Sequence, residues 1–327
     1  MTGYFDRNFG DDMMMKLVVR SLPDIHFLVE STVDTLILSE PNVEQADYAE
    51  CRRFPTLIVT GSSFMINTTA AFRSELRKFL RGHRPGDYCL GCNMEPLSNS
   101  VKRFLIRKKM NKFKLITCRD QASYRWLCRN TRKPKVHCLP DILFSFPEEW
   151  IPRCADPQKL GIALMHRSGD EANCDYYCAM AEAADAWIQS TGNEVLLMAF
   201  DTGKEDDLFA CHSVRERMQF PEKAQIVAHG DGTEIPEAFA QCKKIIGARF
   251  HSMVLALRMG IPFFPVIFRE KMRNLILDMG YPISGCEIQR IDRPAISDFL
   301  KEPLLSPEKY SVANEHVLLL QAALNKD

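Results

Sequence analysis

Residues 160–199 read LGIALMHRSGDEANCDYYCAMAEAADAWIQSTGNEVLLMA, and this stretch decides the fold class. It begins with an apolar run at 160–165, continues through an amphipathic period at 176–190 and ends with a second apolar run at 194–199. Two short apolar runs separated by a helix-length stretch form the pattern of a βαβ unit, in which both strands run parallel. The segment therefore predicts a parallel sheet covered by helices.

The same alternation extends in both directions along the chain. Further strands are predicted at 56–60, 88–90, 115–118, 136–139, 225–228, 244–246 and 263–267. Predicted helices lie between them, at 70–80, 101–110, 123–129 and 253–259. This rhythm is typical of α/β proteins that carry helices on both faces of their parallel sheets.

A connector with three prolines, at 146–157, divides this pattern in two. The chain has 327 residues, more than one hydrophobic core usually holds. We therefore expect an N-terminal Rossmann-like domain at 1–150 and a C-terminal one at 158–300, with a C-terminal helix at 308–327 that packs back on the first. Parallel sheets bind ligands beyond the carboxyl ends of their strands, so we expect the active site in a cleft between two facing domains.

Composition narrows the class of protein. Lysine plus arginine and aspartate plus glutamate both number 42, and a formal net charge of zero does not favour nucleic acid as a partner. Apolar runs fall far short of the ~20 residues that span a bilayer, and the N-terminus lacks the features of a signal peptide. The twelve cysteines indicate reduced thiols, and the CxxC pair Cys89 and Cys92 lacks a second pair to complete a zinc site. We expect a cytoplasmic protein without metal or cofactor.

The strongest functional segment is KKIIGARFHS at 243–252, where a predicted strand gives way to a helix expected to start at Ser252. Arg249 offers a planar fork of donors suited to a carboxylate or phosphate, and His251 can exchange a proton near neutral pH. The first-turn amides of the following helix also favour anions. An alternative is that Arg249 pairs with a structural carboxylate and His251 caps the helix. Downstream, Lys271 either faces the same site or is a surface lysine.

Two other segments sit at comparable positions. The loop GYFDRNFGDD at 3–12 precedes a predicted helix at 13–19 and either holds a hydroxylated ligand, places a carboxylate base, or serves only to cap that helix through Asp11. The strand at 160–165 leads into His166 and Arg167. Either His166 is an acid or base and Arg167 a second anion clamp, or both residues lie in a solvated loop.

Two short elements of the first half are predicted to be structural. Arg119 and Asp120 end the strand at 115–118 and are expected to form a pair at a strand-to-helix turn. The dipeptide Pro140-Asp141, which follows the strand at 136–139, is expected to be structural as well.

Taken in order, these segments resemble the polysaccharide pyruvyl transferase family. The resemblance rests on Asn8-Phe9-Gly10-Asp11, on the R-D-x-x-S element from Arg119 to Ser123, on Pro140-Asp141, on Arg249-Phe250-His251, and on Gly260-Ile261-Pro262 followed by Lys271. It implies a GT-B-like pair of Rossmann-type domains and the transfer of pyruvate from phosphoenolpyruvate onto a sugar diol of a cell-surface polysaccharide or its precursor, as a ketal.

The resemblance also implies roles for individual residues. Arg249 would bind the donor, His251 would supply the catalytic histidine, and Arg167 would be a further donor clamp. To these we add three donor-side residues, a base and an acceptor side. The donor-side residues are Phe250, Ser252 and Lys271, the base is Asp11 with Asp12 as the alternative, and the acceptor side is Asn8, Gly10 and Asp12.

Other interpretations remain open at this point. A GT-B glycosyltransferase that uses a nucleotide sugar, or a catalytically silent subunit of the same fold, would fit the same architecture. Residues 102–114 carry seven positive charges among apolar residues. This pattern indicates either peripheral contact with the inner face of an anionic membrane, where a lipid-linked acceptor would lie, or an ordinary solvated basic face. The acceptor sugar and the oligomeric state leave no signal in the sequence.

Overall fold

The computed structural model describes residues 1–31, 35–60, 86–94, 99–166, 172–230, 232–303 and 306–325. The chain divides into two compact units. Unit 1 comprises Met1–Phe5, Met14–Ile142 and Val312–Asp327, and unit 2 comprises Asp6–Met13 and Leu143–Ser311. The predicted α/β class with parallel sheets is confirmed.

Unit 1 contains a parallel four-stranded sheet and a separate parallel pair. The pair is β1 (Phe27–Glu30) with β2 (Val43–Ala46), and the sheet runs in the order β3 (Leu57–Val59), β4 (Tyr88–Cys92), β5 (Leu115–Cys118) and β6 (Lys135–Cys138). Among its described helices are α1 (Phe9–Arg20), whose first turn belongs to unit 2, α2 (Tyr48–Cys51), α3 (Ser100–Met110) and α4 (Gln121–Asn130). The predicted helix at 70–80 lies outside the described residues.

The core of unit 1 forms where α3 and α4 cover the sheet. Leu105, Ile106 and Met110 of α3 are buried with Ile116 of β5 and Leu127 of α4. The spacing of the three α3 residues places them on one face of the helix, and that face is the buried, apolar one.

Unit 2 is built on a parallel six-stranded sheet. Its strands are β7 (Lys159–Leu164), β8 (Val195–Ala199), β9 (Ala224–Ala228), β10 (Cys242–Gly247), β11 (Phe263–Ile267) and β12 (Cys286–Glu287), in the spatial order β12-β11-β10-β7-β8-β9. Strands β8 and β11 are buried at every position. Uninterrupted apolar strands are expected where helices cover both faces of a parallel sheet.

The helices of unit 2 alternate with its strands. They are α5 (Ala172–Thr191), α6 (Asp207–Arg215), α7 (Glu234–Ala240), α8 (Phe250–Met259), α9 (Glu270–Met279) and α10 (Arg293–Lys301). Lys244 of β10 is buried and donates from Nζ to the carbonyl oxygens of Phe299, Leu300 and Glu302, at 2.6, 2.9 and 2.7 Å. A cation that binds the last carbonyls of a helix satisfies groups that have no partner within the helix.

The strand order of unit 2 reverses next to β7. The chain proceeds from β7 to β8 and β9 on one side, then returns to place β10, β11 and β12 on the other. Open α/β sheets bind ligands at such a reversal, beyond the carboxyl ends of the strands. The residues that follow β7, β8, β9 and β10 therefore lie where this type of sheet binds its ligands.

The C-terminal helix α11 (Glu315–Leu324) belongs to unit 1 and is tied to its sheet by a buried histidine. Nδ1 of His316 lies 2.6 Å from Oγ1 of Thr117 in β5, and its Nε2 lies 2.7 Å from the carbonyl oxygen of Pro140. Because the carbonyl oxygen can only accept, Nε2 carries the proton and Nδ1 accepts from the Thr117 hydroxyl. Burial lowers the pKa of His316 to about 4, so the ring is neutral at neutral pH.

Candidate functional site

Polar side chains gather at the carboxyl edge of the unit 2 sheet. His166 follows β7, Asp201 follows β8, His229 follows β9 and Arg249 follows β10, each within two residues of the strand end. All belong to unit 2, as does the segment Asp6–Met13. The edge where the strand order reverses thus carries two histidines, a carboxylate and a guanidinium.

Arg249 is held by two carboxylates of different exposure. Its Nε donates to Oδ2 of Asp207 at 2.8 Å, its Nη2 donates to the other oxygen of the same carboxylate, and its Nη1 donates to Oε2 of Glu205. The side chain of Asp207 is fully buried, whereas that of Glu205 is 39% exposed. The pairing of Arg249 with carboxylates, which the sequence left open as an alternative, is therefore present in the structure.

These contacts fix the charge states around Arg249. Burial alone would lower the pKa of Arg249, but Asp207 and Glu205 raise it above its ordinary value, so the guanidinium stays charged. Burial raises the pKa of Asp207, and Arg249 opposes that shift. Asp207 also accepts from the backbone amides of Asp201 and His166, at 2.9 and 3.1 Å. This one carboxylate therefore connects the residues that follow β7, β8 and β10.

The segment Asn8–Asp12 lies across the end of β8. The amide of Phe9 donates to the carbonyl of Phe200 at 2.8 Å, and Nδ2 of Asn8 donates to Oδ2 of Asp201 at 3.2 Å. Oδ1 of Asn8 accepts from the amides of Gly10 and Asp11, at 3.1 and 3.4 Å. Asn8 thereby caps α1, the position where asparagine is among the preferred residues.

Gly10 in the first turn of α1 supports the ring of His251. A Cβ atom built on Gly10 would overlap Nδ1, Cγ and Cε1 of the imidazole. Only a residue without a side chain permits this approach. The glycine of the N-x-G-D element is thus explained by the histidine of the R-x-H element, although the two lie far apart in the sequence.

Asp12 pairs with a histidine that the sequence analysis did not select. Nε2 of His229 lies 2.8 Å from Oδ2 of Asp12, and both side chains are buried. The His229 ring also packs edge-on against Phe9, with centroids 5.6 Å apart. Within the described part of the chain, its buried Nδ1 has no hydrogen-bond partner. The carboxylate orients the ring in the manner of acid–base pairs in enzymes.

Asp201 is a further carboxylate of this edge. Its Oδ1 accepts from the amides of Gly203 and Glu205, at 3.1 and 3.2 Å, and its backbone amide donates to Asp207. Burial raises the pKa of Asp201 to about 6, and the hydrogen bond from Asn8 opposes the shift. A carboxyl group that titrates near neutral pH can either hold or release a proton there.

The remaining predicted site residues occupy varied places. Oγ of Ser252 donates to the carbonyl of Arg249 at 2.6 Å, and α8 begins at Phe250, two residues earlier than expected. The Phe250 ring packs edge-on against His251, with ring centroids 5.2 Å apart. Nζ of Lys271, a residue of α9, lies 5.2 Å from the centroid of the Phe250 ring. Asp11 is buried in the first turn of α1. Arg167 lies outside the described residues.

The family model for polysaccharide pyruvyl transferases matches residues 8–267 of this sequence. The match begins at Asn8 and includes both Gly10 and the Arg249–His251 element that Gly10 supports. The chain belongs to the polysaccharide pyruvyl transferase family. It is accordingly a transferase, and none of the curated proteins matches its sequence significantly.

Solved structures similar to this pyruvyl transferase family member share its fold at low identity. The UDP-GlcNAc 2-epimerase from Methanocaldococcus jannaschii, in complex with UDP-GlcNAc and UDP, is 10% identical with a TM-score of 0.61, covering 99% of this chain and 98% of its own. A putative UDP-N-acetylglucosamine 2-epimerase from Listeria monocytogenes is also 10% identical with a TM-score of 0.58, covering 96% and 93%. These likenesses place the fold in the GT-B-like α/β class.

Two further motifs of the transferase family form a buried polar network in unit 1. Arg119 forms an ion pair with Asp141 and donates to Asn93, and Asn93 donates to Asp120. Asp120 caps α4 by accepting from the amide and hydroxyl of Ser123, both at 2.7 Å. Arg119 and Asp120 were predicted to pair with each other. The contacts in this network instead pair Arg119 with Asp141 and connect it to Asp120 through Asn93, so that the ends of β4, β5 and β6 are joined.

Four residues of the unit 2 edge were not selected from the sequence of this pyruvyl transferase. They are Asp201, Glu205, Asp207 and His229. All follow β8 or β9, and the rule that post-strand residues carry chemistry would have found Asp201 and His229 had it been applied to those strands. Among the described residues, no group of three or more histidine, cysteine or acidic side chains is arranged for a metal ion, and no helix is long and apolar enough to cross a membrane.

Proposed function

We propose that this transferase moves pyruvate from phosphoenolpyruvate onto two hydroxyl groups of a saccharide acceptor, forming a ketal and releasing inorganic phosphate. The observation that carries the proposal is the family match over residues 8–267 together with Arg249 and His251 at the reversal of the unit 2 sheet. Phosphoenolpyruvate presents a carboxylate and a phosphate, so its site requires cations and oriented donors.

The donor is assigned to the cations that follow β10 and β11. Arg249 caps α8, and Lys271 lies in the first turn of α9. The amides that open α8 add partial positive charge to the same edge. Phe250 and Ser252 contribute by holding His251 and the Arg249 carbonyl in place, and Arg167 is kept as a further donor clamp.

His251 is assigned as the catalytic acid. A proton from the imidazolium adds to the methylene carbon of phosphoenolpyruvate, giving a methyl group and an oxocarbenium-like centre at C2. The first acceptor hydroxyl attacks C2 and gives its proton to Asp11, with Asp12 as the alternative base. The second hydroxyl then displaces phosphate, and its proton leaves with the phosphate group. The proton taken by the base returns to His251 through solvent, which restores both groups to their starting protonation states.

The acceptor is assigned to the Asn8–Asp12 segment. Gly10 lies beside His251 and Asp12 beside His229, and the paired carboxylate of Asp12 is suited to bind a sugar hydroxyl. The side chain of Asn8 bonds to Asp201 and to the amides of α1, so its contribution is to position the segment.

Calorimetry with phosphoenolpyruvate, UDP and UDP-GlcNAc tests the donor. Because Arg249→Ala would leave the buried Asp207 unpaired, the test variant is Arg249→Lys, which keeps the charge and loses the planar fork. We expect phosphoenolpyruvate to bind the wild type and to bind the variant at least tenfold more weakly. In turnover assays, His251→Ala should lose about 100-fold or more in kcat. Turnover of His251→Ala within a few-fold of the wild type contradicts the assignment.

A nucleotide-sugar glycosyltransferase is the second candidate. It is favoured by the likeness to a structure in complex with UDP-GlcNAc and UDP. Binding of UDP or UDP-GlcNAc in preference to phosphoenolpyruvate in the same calorimetric series would select it. Binding of none of the three would favour a catalytically silent subunit.

Helix α3 supports a membrane-facing acceptor. Val101 and Phe104 are 51% and 49% exposed, and the cations Arg103, Arg107 and Lys108 surround them on the exposed face. Apolar side chains among lysine and arginine suit the surface of an anionic bilayer, which would place the enzyme at the inner face of the membrane. Sedimentation with phosphatidylglycerol vesicles should carry the wild type down and leave the K108E/K109E variant in solution. A wild type that stays in solution with phosphatidylglycerol vesicles would identify a solvated basic face instead.

A further inference from the structure

The guanidinium of Arg249 contacts a buried carboxylate on one side and a half-exposed carboxylate on the other. Nε and Nη2 face Asp207, which is fully buried and also accepts two backbone amides. Nη1 faces Glu205, whose side chain is 39% exposed and whose carboxylate makes its ion pair with Arg249. A carboxylate held by buried hydrogen bonds stays in place, whereas one that water already reaches exchanges its partner easily.

Glu205 also lies where cations converge. Arg249 and Arg269 each follow a strand by two residues, and their strands β10 and β11 are neighbours in the sheet. Burial raises the pKa of Glu205, but Arg249, and after it Lys271 and Arg269, outweigh burial and hold it below its ordinary value. Of the two carboxylates that pair with Arg249, Glu205 is the half-exposed one and Asp207 the buried one. The Glu205 carboxylate therefore occupies a position suited to the anionic group of a ligand.

The backbone around Glu205 is fixed, so only its side chain has to move. Oδ1 of Asp201 accepts from the amides of Gly203 and Glu205. Asp206 adopts a left-handed conformation with φ of 45° and accepts from the amide of Phe209 to cap α6. Rotation about the side-chain bonds of Glu205 is enough to break its contact with Nη1 of Arg249.

We propose that Glu205 competes internally with the donor for Arg249. The Glu205 carboxylate occupies Nη1, on the outer face of Arg249, until an anionic group of the donor displaces it. The inference rests on the proposed donor site and adds a specificity-determining residue to it. Since Glu205 must be displaced, neutral or weakly anionic molecules do not gain access to Nη1. A ligand with a phosphate or carboxylate does, because its negative charge replaces that of Glu205 beside Arg249, Lys271 and Arg269.

Calorimetric titration of inorganic phosphate and of phosphoenolpyruvate into the wild type, Glu205→Gln and Glu287→Gln tests the inference. Glu287 is the matched control, because it forms an exposed ion pair with Arg273 on the same unit. We expect Glu205→Gln to bind both ligands about tenfold more tightly and Glu287→Gln to bind them as the wild type does. Thermal unfolding of each variant verifies that both are folded.

The outcomes separate this inference from the proposed function. If the wild type forms ketal from phosphoenolpyruvate while Glu205→Gln leaves its Kd and KM unchanged or higher, the function stands and internal competition is refuted. If Glu205→Gln tightens phosphate binding while no acceptor yields ketal, internal competition stands and the function fails. If neither phosphate nor phosphoenolpyruvate binds measurably to the wild type or to Glu205→Gln, the inference is refuted.

Discussion

The imidazole of His251 lies directly against the Cα atom of Gly10, in the space that any other residue at position 10 would fill with its Cβ atom. The contact joins the first turn of α1 to the first turn of α8 within unit 2. It gives one physical reason for two motifs of the family, since the glycine makes room for the histidine and the histidine ring is held in place by the helix.

Gly10→Ala should destabilise the protein by about 1–3 kcal/mol, the usual cost of forcing an extra carbon into a packed site. Without the overlap, alanine in a helix would instead be favourable by about 0.5–1 kcal/mol relative to glycine, so the sign of the change is decisive. Urea unfolding measures it. Gly230→Ala is the control, because a Cβ atom there meets only the flexible carboxylate end of Glu234. A Gly10→Ala protein as stable as the wild type would show that His251 moves aside at no cost.

The two carboxylates on Arg249 should contribute unequally to stability. Asp207→Asn removes the buried partner and leaves the guanidinium poorly compensated, a change that costs about 3–5 kcal/mol in comparable buried pairs. Glu205→Gln removes a half-exposed partner, for which about 0–1 kcal/mol is expected. Chemical denaturation of both variants gives the comparison. Equal losses from the two substitutions would mean that burial does not distinguish the two contacts.

The Asp12–His229 pair should show strong coupling in a double-mutant cycle. The side chains of Asp12 and His229 are buried and meet at 2.8 Å, so removing either leaves a buried polar group without its partner. For Asp12→Ala, His229→Ala and the double variant, we expect a coupling free energy of about 1–3 kcal/mol in urea unfolding. Single effects that add to within about 0.5 kcal/mol would indicate that the contact contributes no coupling.

The sequence predicted the sheets of both units better than the partners of the site. Strands such as β5 and β11 match their predicted bounds, because buried parallel strands are continuous apolar runs that end at polar residues. By contrast, β1, β2 and β12 were not predicted, because polar or partly exposed residues interrupt them and no continuous apolar run marks them in the sequence.

Arg249 and His251 were identifiable because a polar pair interrupts an apolar strand–helix sequence. Their partners were not, since Asp207 lies 42 residues before Arg249 and local patterns carry no information on which distant carboxylate will pair with it. The same holds for Gly10, whose role depends on a ring in another helix. Long-range pairing is decided by the strand order, and the sequence alone did not provide that order.

Acid should weaken the protein through His316. Its folded-state pKa is about 4, below the value of about 6.5 for an unfolded histidine, so between these values the unfolded chain binds a proton that the folded chain does not. The contribution of His316 to stability is therefore complete above pH 6.5 and is lost as the pH falls toward 4, by about 2 kcal/mol between pH 7 and pH 5. His316→Gln removes the titrating group while keeping a side chain able to donate to the Pro140 carbonyl. Urea unfolding at pH 7 and pH 5 should show a smaller pH-dependent loss in His316→Gln than in the wild type, by about the same 2 kcal/mol. Equal losses in both proteins would mean that the ring is already protonated in the folded state, and that the Thr117 hydroxyl accepts its Nδ1 proton.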